Sequence, residues 1–324
     1  MVDQRADTEG VYDFDDTSVY LASYSSNLPQ VVRPPSSEWT SVIFPYRWGR
    51  YLAAVSYRYP DGAVTVWDQQ QGLLRTFLRY HQEKGTGDGG VYRVAVNDQY
   101  VFWLRDRAGL FRADLVTGET RQLSTVAPIC DRLSALPSGL LCSTGQVIVI
   151  DQETGQTRAL DPTSALQMDG AASNDRSQVV WIDYRDPPGP TGTADALRGG
   201  EVYLHTLGTG ETRRLTFDSP KTPRLKMQPY VDGDWVVWSE MPEDLPPTTE
   251  WASAFYGSAN RLVRLSLTSG QKCRLAGWGG GRVTLHQHHL HIQLASGPSS
   301  PVPDQQRYLV DLDLDHPDLP WKCE

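Results

Sequence analysis

Three segments of this chain are near-copies of one another. Residues Val96-Asn97-Asp98-Gln99-Tyr100-Val101-Phe102-Trp103 match Val231-Asp232-Gly233-Asp234-Trp235-Val236-Val237-Trp238, and Ser173-Asn174-Asp175-Arg176-Ser177-Gln178-Val179-Val180-Trp181 is a third copy. Each sets an Asn-Asp or Asp-Gly turn signal ahead of a β-branched or aromatic run that ends in Trp. That order describes a tight hairpin, a–b, whose second strand is buried. A second element recurs as well. Residues 110–124, 146–160, 201–216 and 261–275 each read as a strand, a turn at Thr-Gly-Glu, Thr-Gly-Gln or Ser-Gly-Gln, and a short second strand, c–d. The Gly supplies the positive φ that such a turn needs.

Two weaker copies extend the series: 41–59 with 63–80, and 282–295 with 309–314. Six a–b/c–d units thus recur at about 36 to 55 residues, the spacing of propeller blades. A two-sheet sandwich would not repeat one motif six times. The expected fold is therefore all-β, a single β-propeller of four-stranded blades. The segment 19–32 resembles the c–d element 202–215, so seven c–d copies accompany six a–b copies. In the favoured arrangement the strand 18–23 pairs with the last blade and closes a ring of six, leaving no open sheet edge between first and last. An incomplete seventh blade is the alternative. Residues 1–17 then form a polar N-terminal segment and 18–324 one propeller domain.

The blade motifs resemble those of TolB-like and WD-repeat-like propellers. TolB-like blades read roughly Gly-Asp-x-Val-Val-Trp, then Thr-Gly-Glu, then Leu-Thr; here the best matches are 232–238 and 209–216. The resemblance covers nearly the whole chain from Trp39 and implies blades, not chemistry. The chain lacks the separate N-terminal α/β domain of TolB, so TolB's role in a cell-envelope complex is not implied.

With 39 acidic against 30 basic residues the formal charge is −9. No Lys/Arg run appears, which argues against nucleic acid as a partner. No stretch of 18 apolar residues is present to span a membrane. The first ten residues lack the charged-then-apolar order of a signal peptide. The expected location is periplasmic or extracellular if such a peptide has been removed, and cytoplasmic otherwise. Cys130, Cys142, Cys273 and Cys323 form no Cys-x-x-Cys pair. They read as small buried thiols, with a single Cys130–Cys142 bridge, and an oxidising compartment, as the alternative.

Motifs of chemistry fail on context. Residues 85–90 fit G-x-G-x-x-G, but no helix follows to hold a phosphate. Asp311, Asp313 and Asp315 begin an EF-hand pattern that lacks its Gly and its closing Glu; they read as a strand with one wet face. His286, His288, His289 and His291 surround a predicted a–b turn, where His286 and His291 are expected to face each other. The cluster reads as a solvated turn, so neither a metal nor another cofactor is expected. No nucleophile elbow, zinc-protease motif or Walker loop occurs.

Loop lengths are uneven. In a propeller blade the b–c loops share one face with the connections between blades. The early b–c loops are minimal, at 60–62, 106–109 and 143–145, whereas three consecutive later ones are long: 186–200, 241–260 and 296–307. Long loops cost ordering entropy and are often functional. The loop 241–260 holds Trp251, Phe255 and Tyr256, residues of the kind that dominate binding hot spots. Glu243, Asp244, Glu250 and Asp195 are expected to form an acidic border. The leading expectation is a non-catalytic binding or scaffold propeller with a protein or glycan partner on this face. The alternative is a carbohydrate-active hydrolase or lyase with acidic residues near the channel mouth.

Overall fold

The computed structural model describes residues 5–7, 10–14, 19–23, 30–32, 41–58, 60–68, 70–82, 90–125, 130, 132–163, 165–173, 175–185, 199–219, 224–240, 261–275, 282–286, 289–294, 308–314 and 321–324. Among them every regular element is a strand, and the strands form antiparallel sheets in chain order. The first sheet contains β1 (Arg5–Asp7), β2 (Gly10–Phe14), β3 (Val19–Ser23) and β4 (Gln30–Val32). The second contains β5 (Ser41–Trp48), β6 (Tyr51–Arg58), β7 (Asp61–Asp68) and β8 (Leu73–His81). The third contains β9 (Val91–Val96), β10 (Tyr100–Arg105), β11 (Gly109–Asp114) and β12 (Thr120–Ser124). The fourth contains β13 (Arg132–Leu136), β14 (Gly139–Ser143), β15 (Val147–Asp151) and β16 (Thr157–Ala159).

The fifth sheet contains β17 (Gln167–Ala172), β18 (Gln178–Asp183), β19 (Glu201–Thr206) and β20 (Glu211–Arg214). The sixth contains β21 (Lys226–Asp232), β22 (Trp235–Glu240), β23 (Arg261–Ser266) and β24 (Lys272–Leu275), and it gains a fifth strand, β28 (Lys322–Cys323). The last contains β25 (Arg282–His286), β26 (His289–Leu294) and β27 (Tyr308–Asp313). The strand at 18–23 was expected beside this last sheet. Instead β3 pairs with β2 and β4. Residues 5–14 supply the a–b hairpin that precedes it, and pairing neighbours across short turns closes far less chain than pairing with residues near 300.

The repeated hairpins form as the sequence predicts. Trp103, Trp181 and Trp238 hold the same place in β10, β18 and β22, and each is buried to within 1%. Trp103 stacks on its cross-strand partner Phe111, and Trp181 on Tyr203. Asn97 fixes the β9–β10 turn by accepting from the backbone N–H groups of Gln99 and Tyr100 at 3.0 and 2.8 Å. The c–d turn glycines Gly118, Gly155, Gly210 and Gly270 lie at φ between 72 and 75°. Gly109, at φ 106°, opens β11 directly after the short connection 106–108; a Cβ there would lie 1.9 Å from the Ser124 carbonyl oxygen.

Two compact units partition the chain. The first comprises 1–144 and 148–160, and the second 145–147 and 161–324. The core of the first runs from Tyr46 through Trp103 to Ile150, and the Tyr46 hydroxyl accepts from the Ala135 N–H at 2.7 Å, tying β5 to β13. The core of the second gathers Val180, Ile182, Val202, Val236, Trp238 and Val263.

The four cysteines correct the reading as free thiols. They form two disulfides, Cys130–Cys142 and Cys273–Cys323. The second arises because β28 pairs with β24 and sets Cys323 directly opposite Cys273, a proximity that residues 50 apart in sequence do not reveal.

Candidate functional site

Asp195, Glu243, Asp244, Glu250, Trp251, Phe255 and Tyr256 lie outside the described residues. The strand ends that carry their loops are described, and both belong to the second unit. Where β18 leads to β19, the last rung of the sheet is Gln167, Asp183 and Glu201. Where β22 leads to β23, it is Lys226, Glu240 and Arg261. Gln167, Asp183, Glu201, Lys226 and Glu240 are all buried. In the first unit the matching rung of the third sheet is Val91, Arg105 and Gly109, and a connection of minimal length follows.

Buried charge is costly unless paired and hydrogen-bonded, and here the pairing is dense. The Lys226 ammonium, with no exposed side-chain surface, donates to the Gly200 carbonyl at 2.9 Å. It also meets Asp218 Oδ2 at 2.6 Å and Glu201 Oε2 at 3.1 Å. Three acceptors match its three protons. Glu201 accepts in turn from Arg214 at 2.9 Å, from the Asp218 N–H at 2.7 Å and from the Thr216 hydroxyl. Gly199 donates to the Arg224 carbonyl at 3.2 Å. Gly199 and Gly200, which lead into β19, are therefore both held.

The chain leaving β18 is held as firmly. Asp183 Oδ2 accepts from Arg185 at 2.5 Å, from the Trp181 indole at 2.9 Å and from Gln167 at 3.0 Å. Arg185 also pairs with Asp161 at 2.6 Å and lies over the Tyr203 ring. Burial alone would raise the Asp183 pKa; the bonds from Arg185, Trp181 and Gln167 outweigh it and hold the carboxyl below the usual range. At the start of 241–260, Glu240 meets Arg224 and Arg274 at 3.3 Å each and Lys272 at 3.8 Å, with the Trp238 indole at 3.4 Å. Burial depresses the Lys272 ammonium, opposed by the attraction of Glu240. Asp183, held below the usual range, is not the protonated acid that glycoside cleavage needs. Among the residues whose side chains are described, no three His, Cys, Asp or Glu converge on a metal position.

A second candidate lies in the first unit, a hollow of about 190 Å³ bordered by Arg50, Tyr51, Asp68, Arg75, Leu115 and Val116. Its cations are committed. Arg75 donates to the Leu115 and Val116 carbonyls at 2.5 and 3.0 Å. Arg50 pairs with Asp68 at 3.4 Å and donates to Gln70 at 2.8 Å.

No protein-family model matches the sequence, and no curated protein matches it. Solved structures do match in shape. The tricorn protease aligns at 12% identity and a TM-score of 0.62 over 96% of this chain and 33% of that one; the chain spans about a third of the tricorn chain. The oligogalacturonate lyase of Vibrio parahaemolyticus aligns at 11% identity and a TM-score of 0.54 over 87% and 82% of the two chains. TolB from Acinetobacter baumannii aligns at 16% identity and 0.47 over 81% and 60%. The tricorn protease and the oligogalacturonate lyase are β-propellers, and this chain's four-stranded antiparallel sheets in sequence order are consistent with propeller blades.

The chain is a β-propeller.

Within this propeller the residues that fix the loop ends were missed by sequence reasoning, although a signal was present. The Trp copies continue as Trp181-Ile182-Asp183 and Trp238-Ser239-Glu240, whereas the copy in the first unit continues as Trp103-Leu104-Arg105. Residues two apart on a strand share a face, which is why each indole donates to the acid that follows it. The acids mark two of the three blades whose next connection is long.

Proposed function

We propose that the protein is a non-catalytic binding propeller that recognises a protein or glycan partner through its long b–c loops, 186–200, 241–260 and 296–307. The observation that carries this reading is the pair of buried ionic rungs at the ends of the first two loops. Recognition loops bind well when a rigid scaffold fixes their ends, because less freedom is lost on binding. A connection with no task would not need Lys226 clamped to Gly200, or Glu240 among three cations. Trp251, Phe255 and Tyr256 are then the anchors, bordered by Glu243, Asp244, Glu250 and Asp195. The two disulfides support an oxidising compartment for this work.

The test is affinity capture from native material with the wild type and with Trp251→Ala/Tyr256→Ala, each measured beside its melting temperature. Loss of a specific partner at unchanged Tm is the expected result. Retained capture with a lowered Tm assigns those rings to the core and sinks the reading. Turnover of an oligosaccharide by the purified chain would favour a carbohydrate-active enzyme instead, the class to which the oligogalacturonate lyase likeness points.

A further inference from the structure

We propose that Cys323 is a site of reversible thiol–disulfide exchange, and that opening its bond to Cys273 unlatches β28 from the edge of the sixth sheet. This does not rest on the binding reading above. The two disulfides differ in access. Cys130 and Cys142 are both buried and belong to the core of the first unit. In the other bond Cys273 is buried, but Cys323 is exposed, as are Lys322 and Glu324 on either side of it. A disulfide opens when a thiolate attacks one of its sulfurs, so access decides which bond reacts first. The attacking sulfur must approach Cys323 from the side away from Cys273, along the line of the bond that breaks. The sheet ends there: β28 pairs with β24, and among the described residues no strand lies beyond it.

Once the bond is open, little holds β28. The strand has two residues, paired as Cys273–Cys323 and Arg274–Lys322. The Glu324 N–H donates to the Lys272 carbonyl at 2.8 Å, and the Glu324 carboxylate meets Arg274. That carboxylate is exposed, where an ion pair contributes little. The firmest remaining contact is the Trp321 ring, 4.4 Å from the Arg264 guanidinium. Strand β24 is secured on its inner side by four register pairs with β23. Release of β28 therefore leaves four strands standing and bares the β24 backbone, an edge that templates pairing with another strand. The reacting partner is a dithiol. One of its thiolates attacks Cys323 Sγ and forms a mixed disulfide; the Cys273–Cys323 bond breaks, and Cys273 leaves as a thiolate that takes a proton from water. The second thiolate of the partner then displaces Cys323, which is protonated in turn. Two electrons pass to the protein, and the dithiol is oxidised to its own disulfide.

The experiment treats the native full chain with dithiothreitol at neutral pH, without denaturant. Samples taken over time are quenched in acid, and their free thiols are labelled with N-ethylmaleimide in denaturant and mapped by mass spectrometry. Cys273 and Cys323 are expected to gain label at least about tenfold faster than Cys130 and Cys142, while the circular dichroism of the folded chain persists. In the chain so reduced, hydrogen exchange should rise over 272–275 and 321–324, and oxidised glutathione should restore both the bond and the protection. The proposal is overturned if the two bonds open at equal rates, if Cys130–Cys142 opens first, or if Cys273–Cys323 opens only as the folded signal is lost. Unchanged protection over 272–275 after reduction overturns the unlatching, and failure of the bond to re-form overturns its reversibility.

Discussion

Asp183 has no exposed side-chain surface, yet it is held ionised by Arg185, the Trp181 indole and Gln167. Its pKa in the folded state lies below the usual value, while in the unfolded chain it returns to about 3.9. A depressed folded pKa means that the unfolded chain binds the proton more readily. The stabilisation is therefore complete above the unfolded pKa and is lost as pH falls through the folded one. Asp183→Asn removes the charge but keeps the size. At neutral pH it should cost several kcal/mol, because Arg185 remains part-buried with one carboxylate fewer. Urea unfolding should show the gap between variant and wild type narrowing below about pH 4. A gap that stays constant to pH 2.5 would mean that another feature of the rung, and not the charge, carries the stability.

At the scale of elements, β28 shows how much of the sixth sheet is decided far from its own sequence. Cys323 bonds Cys273, Glu324 pairs with Arg274 and donates its N–H to the Lys272 carbonyl at 2.8 Å, and Trp321 covers Arg264, which also lies over Trp235. In the chain-entropy account, closing 50 residues is worth about 4 kcal/mol, and closing the 12 of Cys130–Cys142 somewhat less than 3 kcal/mol. Cys273→Ser/Cys323→Ser should therefore lower stability more than Cys130→Ser/Cys142→Ser, as read by urea unfolding; the reverse order would contradict this account. The hairpins themselves were legible, since a turn residue and a period of two lie within ten positions of each other. Strand β28 and the second disulfide were not. Each joins segments separated by a long connection, and no local residue preference encodes such a meeting. The strands at 5–14 escaped for a different reason: they are short, and acidic residues hide their alternation.

At the scale of the whole molecule, the propeller repeats one small sheet built from consecutive hairpins, to which only the sixth sheet adds a distant strand, β28, among the described residues. An insertion between β22 and β23 therefore interrupts no sheet, which is how 241–260 is accommodated. The sequence made the loop lengths plain, yet nothing local could show that their ends rest on buried ion pairs. The rung Lys226–Glu240–Arg261 belongs to the strands and not to the loop. Replacing 242–259 by a Gly-containing connection as short as 106–109 should therefore leave the rung intact. Shortening a loop changes its closure entropy only slowly with length, by about 0.6 kcal/mol for each halving. The shortened protein should thus melt in one cooperative step, at or slightly above the wild-type temperature, with both disulfides formed, and should capture no partner. A collapse in Tm would instead show that Trp251, Phe255 and Tyr256 cover apolar surface of the blade. The loop would then be part of the core, and the clamped ends at Gly200 and Glu240 would serve folding in place of recognition.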